Sequence, residues 1–133
     1  TYYRVHGNNI STTKRQHMFS LLTKLNRRIL IDLNIGYSES ELEVHSKSLH
    51  YDLHYFSEKG KITELEKWIS RFLTEIEKNQ NYNSLIVYKI LMKRYIVLCN
   101  NSKNYKKLFL NRLISRHPLE YLTVLYKKII DRI

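Results

Sequence analysis

Apolar residues recur along this chain at spacings of three and four, the repeat of a helix that buries one face. Ser11, Thr12 or Thr13 can cap a first helix whose Met18, Leu22, Leu25, Ile29 and Leu33 form one stripe; it should end at Asn34 to Gly36, where glycine supplies a left-handed stop. Ser38 and Glu41 have capping-box spacing and predict a second helix through Leu42, Leu49, Leu53 and Phe56, stopped near Gly60. Thr63 and Glu66 repeat that spacing ahead of the cleanest stripe in the chain, Leu65, Trp68, Ile69, Phe72, Leu73 and Ile76.

A polar loop, Asn79 to Asn83, precedes a segment from Leu85 to Cys99 that is apolar nearly all round, with Asn83 or Ser84 as its cap. Its Ile and Val content would suit a strand. About 15 residues is nevertheless long for one, and no neighbouring segment alternates with a period of two to pair with it, so it reads as a central helix. After Asn100 to Asn104, Tyr105, Leu108, Phe109 and Leu113 mark a fifth helix. Pro118 takes a first-turn position in a sixth, lined by Leu119, Leu122, Tyr126, Ile129, Ile130 and Ile133. Glu120 near its start and Lys127, Lys128 and Arg132 near its end complement the helix dipole. The pattern predicts an all-α fold, an antiparallel bundle of about six helices joined by short loops. Residues 1–10 read as a flexible arm and residues 11–133 as one helical domain.

Charge changes the picture more than composition does. The chain has 23 Lys and Arg against 12 Asp and Glu, a net charge of +11. It contains no alanine, while Lys, Asn, Ile and Tyr, the residues of A/T-rich codons, are abundant, so part of the lysine excess is a codon effect and is discounted as a sign of binding. By position, residues 1–31 hold six bases and no acid, residues 32–77 hold ten acids and five bases, and residues 78–119 hold nine bases and no acid. An acidic middle lies between two purely basic blocks.

Those blocks supply the candidate anion-binding residues: Lys24, Arg27 and Arg28 in the first, and Lys89, Lys93, Arg94, Lys103, Lys106, Lys107, Arg112 and Arg116 in the second. Lys24 and Arg27 lie away from the first apolar stripe. The pairs Lys89 and Lys93, Lys103 and Lys107, and Arg112 and Arg116 are each four apart and stack on a helix face with no acid of their own segment to neutralise them. Such a face attracts phosphate and releases counterions. Tyr88, Tyr95, Tyr105 and Tyr126 sit beside these bases, and an exposed tyrosine can stack on unpaired nucleobases. Tyr88, Tyr95 and Tyr126 also fall on core stripes, which leaves a phosphate-dominated contact as the expectation.

Arg112 and His117 have the spacing of an R-x4–6-H motif, which resembles that of the HEPN ribonucleases, an all-helical family. The resemblance implies an arginine and a histidine, usually paired across a dimer, acting on the RNA 2′-hydroxyl and the scissile phosphate. It covers those two residues only. Leu113 stands where the family usually has a polar residue, and Pro118 restricts the backbone of His117.

Other chemistry is thinly represented. His50, His54 and Glu58 are four apart, but along a helix they span about 12 Å, too far for one ion to bind all three. Cys99 is the single cysteine, so no internal disulfide forms, and on an apolar segment it reads as a buried thiol of raised pKa. Gly7, Gly36 and Gly60 are isolated and make no phosphate loop. Lys89, Lys93 and Arg94 interrupt the longest apolar stretch, which is therefore no membrane span.

The reading is a non-enzymatic helical binding domain without metal or cofactor, intracellular (cytoplasm or nucleus), whose basic surface takes nucleic acid. The alternatives are a helical interaction module, a homo-oligomer among its forms, that meets an acidic protein or an anionic membrane, and a HEPN-like ribonuclease.

Overall fold

The computed structural model describes the backbone of residues 2–79 and 82–130, and the side chains among them except those of residues 2–12 and Ile129. The expected caps Ser11 and Thr12, the stripe positions Ile129 and Ile133 and the helix-end base Arg132 lie outside the described side chains. The described residues are all-α, with six α-helices, two short 3-10 turns and no strand. They are α1 (Tyr2–Asp32), α2 (Glu39–Leu49), α3 (Leu53–Ser57), α4 (Lys61–Lys78), α5 (Ser84–Asn101) and α6 (Pro118–Ile130), with 3-10 turns at Tyr105–Leu108 and Ile114–Arg116. The chain folds as two compact units, Thr1–Ser46 and Lys47–Ile133.

In the first unit, α1 opens at Tyr2, ahead of the cap expected at Ser11 to Thr13. Among its described side chains the buried ones are Asn26 and Leu30, with Leu22 and, just past its end, Leu33 half-buried in line with them, whereas Met18, Leu25 and Ile29 of the predicted stripe are exposed. The buried face is thus rotated from the purely apolar one, and Asn26 is accommodated there because its Nδ2 donates to Ser46 Oγ at 3.1 Å. The capping box forms as predicted: the Glu41 amide donates to Ser38 Oγ at 3.2 Å and the Ser38 amide to Glu41 Oε1 at 2.9 Å.

Three helices stop in the same way, each with a residue other than glycine at the left-handed position. Asn34 (φ 60°) ends α1, Tyr51 (φ 53°) ends α2 and Lys103 (φ 62°) ends α5. In each case the next amide reaches back five residues to a helical carbonyl: Ile35 to Leu30, Asp52 to Lys47, and Asn104 to Cys99. This is the Schellman arrangement. The first stop therefore rests on Asn34 and not on Gly36.

The stop at Tyr51 also divides the predicted second helix into α2 and α3. Asp52 reinforces the break by accepting the Tyr55 amide at 3.0 Å as N-cap of α3. Gly60 does not terminate a helix; with φ 85° it is the N-cap residue of α4. Thr63 and Glu66 accordingly lie inside α4 and form no capping box.

The second unit is organised on α5, which packs against α3, α4, α6 and the first 3-10 turn. α4 buries the predicted stripe from Leu65 to Ile76 together with Ile62. α5 is the helix its length called for. Asn83 caps it through the Leu85 and Ile86 amides, and it buries Tyr88, Met92, Tyr95, Ile96, Leu98 and Cys99.

The predicted fifth helix is replaced by the two 3-10 turns. Asn111 explains the replacement: its Oδ1 accepts the Leu113 and Ile114 amides at 3.0 and 3.1 Å, while its Nδ2 donates to the Lys107 carbonyl. A side chain that takes backbone partners in this way competes with helix continuation. Tyr121 completes the arrangement by donating to the Leu108 carbonyl at 2.6 Å.

Candidate functional site

Among the described residues, five of the candidate cations form ion pairs, four of them to acids outside their own basic block and beyond helical i,i+4 reach. Within the first unit, Arg27 forks onto Glu39 at 2.7 and 3.0 Å, and Arg28 lies 3.4 Å from Asp32. Within the second, Lys107 meets Glu66 at 3.3 Å, Arg116 meets Glu77 at 2.7 Å and Lys89 meets Glu120 at 3.2 Å. Arg116 also donates to the Ser70 carbonyl and to Thr74 Oγ1, at 2.8 and 2.6 Å, which makes it a staple onto α4. The Arg94 guanidinium sits over the Tyr51 ring, 5.6 Å from its centroid.

Of the eleven candidate cations, Lys24, Lys93, Lys103, Lys106 and Arg112 are left exposed without an acidic partner among the described residues. Lys24 lies in the first unit and Lys93 on α5. The remaining three fall within residues 103–112, where Tyr105, Phe109 and Leu110 are also exposed.

Beside that segment a cleft opens between the first turns of α4 and residues 107–115, lined by Thr63, Glu66, Lys107, Leu110, Arg112 and Ser115 among others. Glu66 is buried and each of its oxygens has a donor: Oε1 accepts from the Tyr95 hydroxyl at 3.1 Å and Oε2 from Lys107 Nζ. Burial pushes the Tyr95 phenol far up and the Cys99 thiol to about 12, so both stay protonated at neutral pH and Cys99 is no nucleophile.

The two residues of the HEPN-like motif stand in different surroundings. Arg112 is exposed, whereas the His117 ring packs edge-on against Tyr88 with centroids 4.8 Å apart. The chain between them is a 3-10 turn at Ile114–Arg116. His50, His54 and Glu58 do not share a stripe, because the stop at Tyr51 puts His50 after α2, His54 in α3 and Glu58 at the C-cap of α3.

α6 was misjudged from sequence. It buries Tyr121, Val124 and Leu125, whereas Leu119, Leu122, Tyr126 and Ile130 of the predicted core stripe are 79%, 56%, 63% and 45% exposed. Leu119, Leu122, Thr123, Leu125 and Tyr126 line a shallow groove along this face. Periodicity alone could not choose, because both sets recur at three and four. The available signal was that a helix apolar all round has a second face to cover.

No protein-family model, curated protein or solved structure matches the chain. Among the described residues, no helix is long and apolar enough to cross a membrane.

Proposed function

We propose that this chain is a non-enzymatic helical interaction module that engages a protein partner through the exposed apolar face of α6. The observation that carries this reading is the contrast on that one helix: Tyr121, Val124 and Leu125 already fill its own core, and Leu119, Leu122, Tyr126 and Ile130 form a second, uncovered stripe. An exposed stripe of large apolar side chains on one helix is the kind of surface that partner proteins cover. The pairing of Arg27, Arg28, Lys89, Lys107 and Arg116 with carboxylates supports the same reading, since it offsets locally the positive charge that nucleic acid would need. An intracellular setting fits Cys99, a buried thiol with no disulfide to form.

The test is a photo-crosslinking residue in place of Tyr126, with a second chain carrying it at exposed Lys59 as the control. A discrete protein adduct from position 126 that is lost in Leu122→Lys and absent from position 59 is the expected result. No adduct from position 126 would reject the reading.

A second reading is favoured by residues 103–112. Lys103, Lys106 and Arg112 without acidic partners, beside an exposed Tyr105, support a phosphate-dominated contact with single-stranded nucleic acid. It requires affinity for a generic labelled oligonucleotide that falls steeply with salt and with Lys106→Ala. No binding at low salt would reject it.

A further inference from the structure

The cleft between the start of α4 and residues 107–115 has a wall that the chain itself pins. Leu108 and Leu113 are buried anchors, and Asn111 between them bonds the Lys107 carbonyl, the Leu113 and Ile114 amides and, at 3.1 Å, the Tyr121 hydroxyl. The Tyr88 hydroxyl holds the Leu113 carbonyl at 2.8 Å. Between those anchors Phe109 and Leu110 are 63% and 74% exposed and form an apolar wall of the cleft, with Thr63 and Glu66 of α4 on its other side. The cleft opens to solvent and has a volume of about 590 Å³, within the range of small-molecule sites.

The polar groups left over in it are donors. Lys107 Nζ gives one hydrogen to Glu66 Oε2, which fixes the ammonium in place and leaves two hydrogens for a ligand. The exposed Arg112 guanidinium and the half-buried Thr63 hydroxyl have no partner among the described residues. Both oxygens of Glu66 already accept, so the carboxylate adds charge and no free acceptor. Donors beside an apolar wall suit an oxyanion carried on an apolar body.

Charge decides which oxyanion. Two cations, Lys107 and Arg112, and one carboxylate, Glu66, line the cleft, which leaves a net charge of +1. A monoanion is neutralised in full, whereas the second charge of a phosphomonoester would go unmatched close to Glu66. A carboxylate also accepts the two parallel N–H bonds of an arginine fork.

We propose that this cleft binds a small organic acid with a flat apolar body, its carboxylate held by Arg112 and Lys107 and its body against Phe109 and Leu110. The site shares no residue with the exposed face of α6, so it stands whether or not a protein covers that face, and Lys103 and Lys106 of the nucleic-acid reading do not line it.

Two-dimensional ¹H–¹⁵N spectra of the 133-residue chain titrated with 2-naphthoate test it. The amides of Thr63 and of residues 107–115 should shift and saturate with a Kd of about 1 mM or below. The neutral isostere 2-naphthamide should bind at least about tenfold more weakly, as should 2-naphthoate to Arg112→Gln, whose fold is read from the same spectrum. Lys127→Gln, which removes a charge from α6 outside the cleft, should leave the Kd unchanged, and 2-naphthyl phosphate should bind no tighter than the carboxylate.

No saturation by about 10 mM overturns the proposal, as do shifts centred on Leu119 to Tyr126 in place of the cleft. Equal affinity for the amide overturns it by reducing the cleft to an apolar patch. Equal weakening by Arg112→Gln and Lys127→Gln overturns it by reducing the effect to overall charge. Tighter binding of 2-naphthyl phosphate overturns the carboxylate and gives the cleft to a phosphate.

Discussion

Tyr95 on α5 donates its hydroxyl hydrogen to Glu66 Oε1 on α4 across 3.1 Å, and both residues are buried. Lys107, arriving from the first 3-10 turn, satisfies the other carboxylate oxygen at 3.3 Å. One buried carboxylate on α4 thereby ties down two later elements, 29 and 41 residues away along the chain, and its burial is tolerated because each oxygen has a donor.

The first prediction follows from that junction. Glu66→Ala strands the Tyr95 hydroxyl and the Lys107 ammonium at once and should cost about 3 kcal/mol of folding stability. Glu66→Gln keeps an acceptor for Tyr95 and loses only the ion pair, so its cost should be about half as large. Urea unfolding of the two variants gives the comparison. Equal losses would show that packing of the side chain, not its hydrogen bonds, holds the junction.

Arg116 separates a structural cation from a binding one. Its guanidinium holds Glu77, the Ser70 carbonyl and Thr74 on α4. Arg116→Ala should therefore lower stability by about 2 kcal/mol, and Arg116→Lys should recover only part of that, because an ammonium cannot reproduce the fork. Oligonucleotide affinity measured under conditions where the variants stay folded should not change. Lys106→Ala should behave oppositely, leaving thermal stability intact. If both variants lower stability alike, the division between engaged and free cations is wrong.

The left-handed residue that ends α5 offers a substitution that should stabilise. Lys103 holds φ 62°, a conformation costing an ordinary L-residue about 1 kcal/mol and glycine almost nothing. Lys103→Gly should raise stability by up to about 1 kcal/mol, whereas Lys103→Ala, which removes the same charge and keeps the strain, should not. Thermal melts of the pair against the parent provide the check. A gain in both would trace to charge repulsion among Lys103, Lys106 and Lys107 and not to the backbone.

These cases also show what was legible in the sequence. Capping and length are local, so the Ser38 and Glu41 box, the Asn83 cap and the helical state of Leu85 to Cys99 could all be read from neighbouring residues. Helix ends were harder because the expected signal was glycine, at Gly36 and Gly60, whereas in the structure the left-handed stops fall at Asn34, Tyr51 and Lys103. The fifth helix failed on one side chain, Asn111, whose backbone bonds have no counterpart in a hydrophobic pattern. Charge was misread for a different reason. A block without acids looks unneutralised along the chain, yet Glu66 and Glu77 arrive from α4, 41 and 39 residues away from Lys107 and Arg116. The same non-locality hid the α6 face, since which of two equivalent stripes is buried depends on what else packs there.

The last prediction concerns alkaline pH. Burial pushes the Cys99 thiol from its ordinary 9.0 to about 12 and the Tyr88 phenol from 10.0 to about 12, and it raises Tyr95 and Tyr121 in the same direction. In all four the folded state holds its proton more tightly than the unfolded chain. Their contribution is therefore complete below pH 9 and is lost as pH rises from 9 to 12, where the unfolded chain ionises and the folded one does not. Thermal midpoints should fall steadily over that window. Tyr88→Phe isolates one member: it gives up the hydrogen bond from the hydroxyl to the Leu113 carbonyl at 2.8 Å and should start about 1 kcal/mol lower at pH 8. Because phenylalanine cannot ionise, its curve should then approach that of the parent between pH 10 and 12. Two curves that stay parallel through that range would mean that the Tyr88 phenol ionises equally in the folded and unfolded chains, and that its burial has no electrostatic consequence.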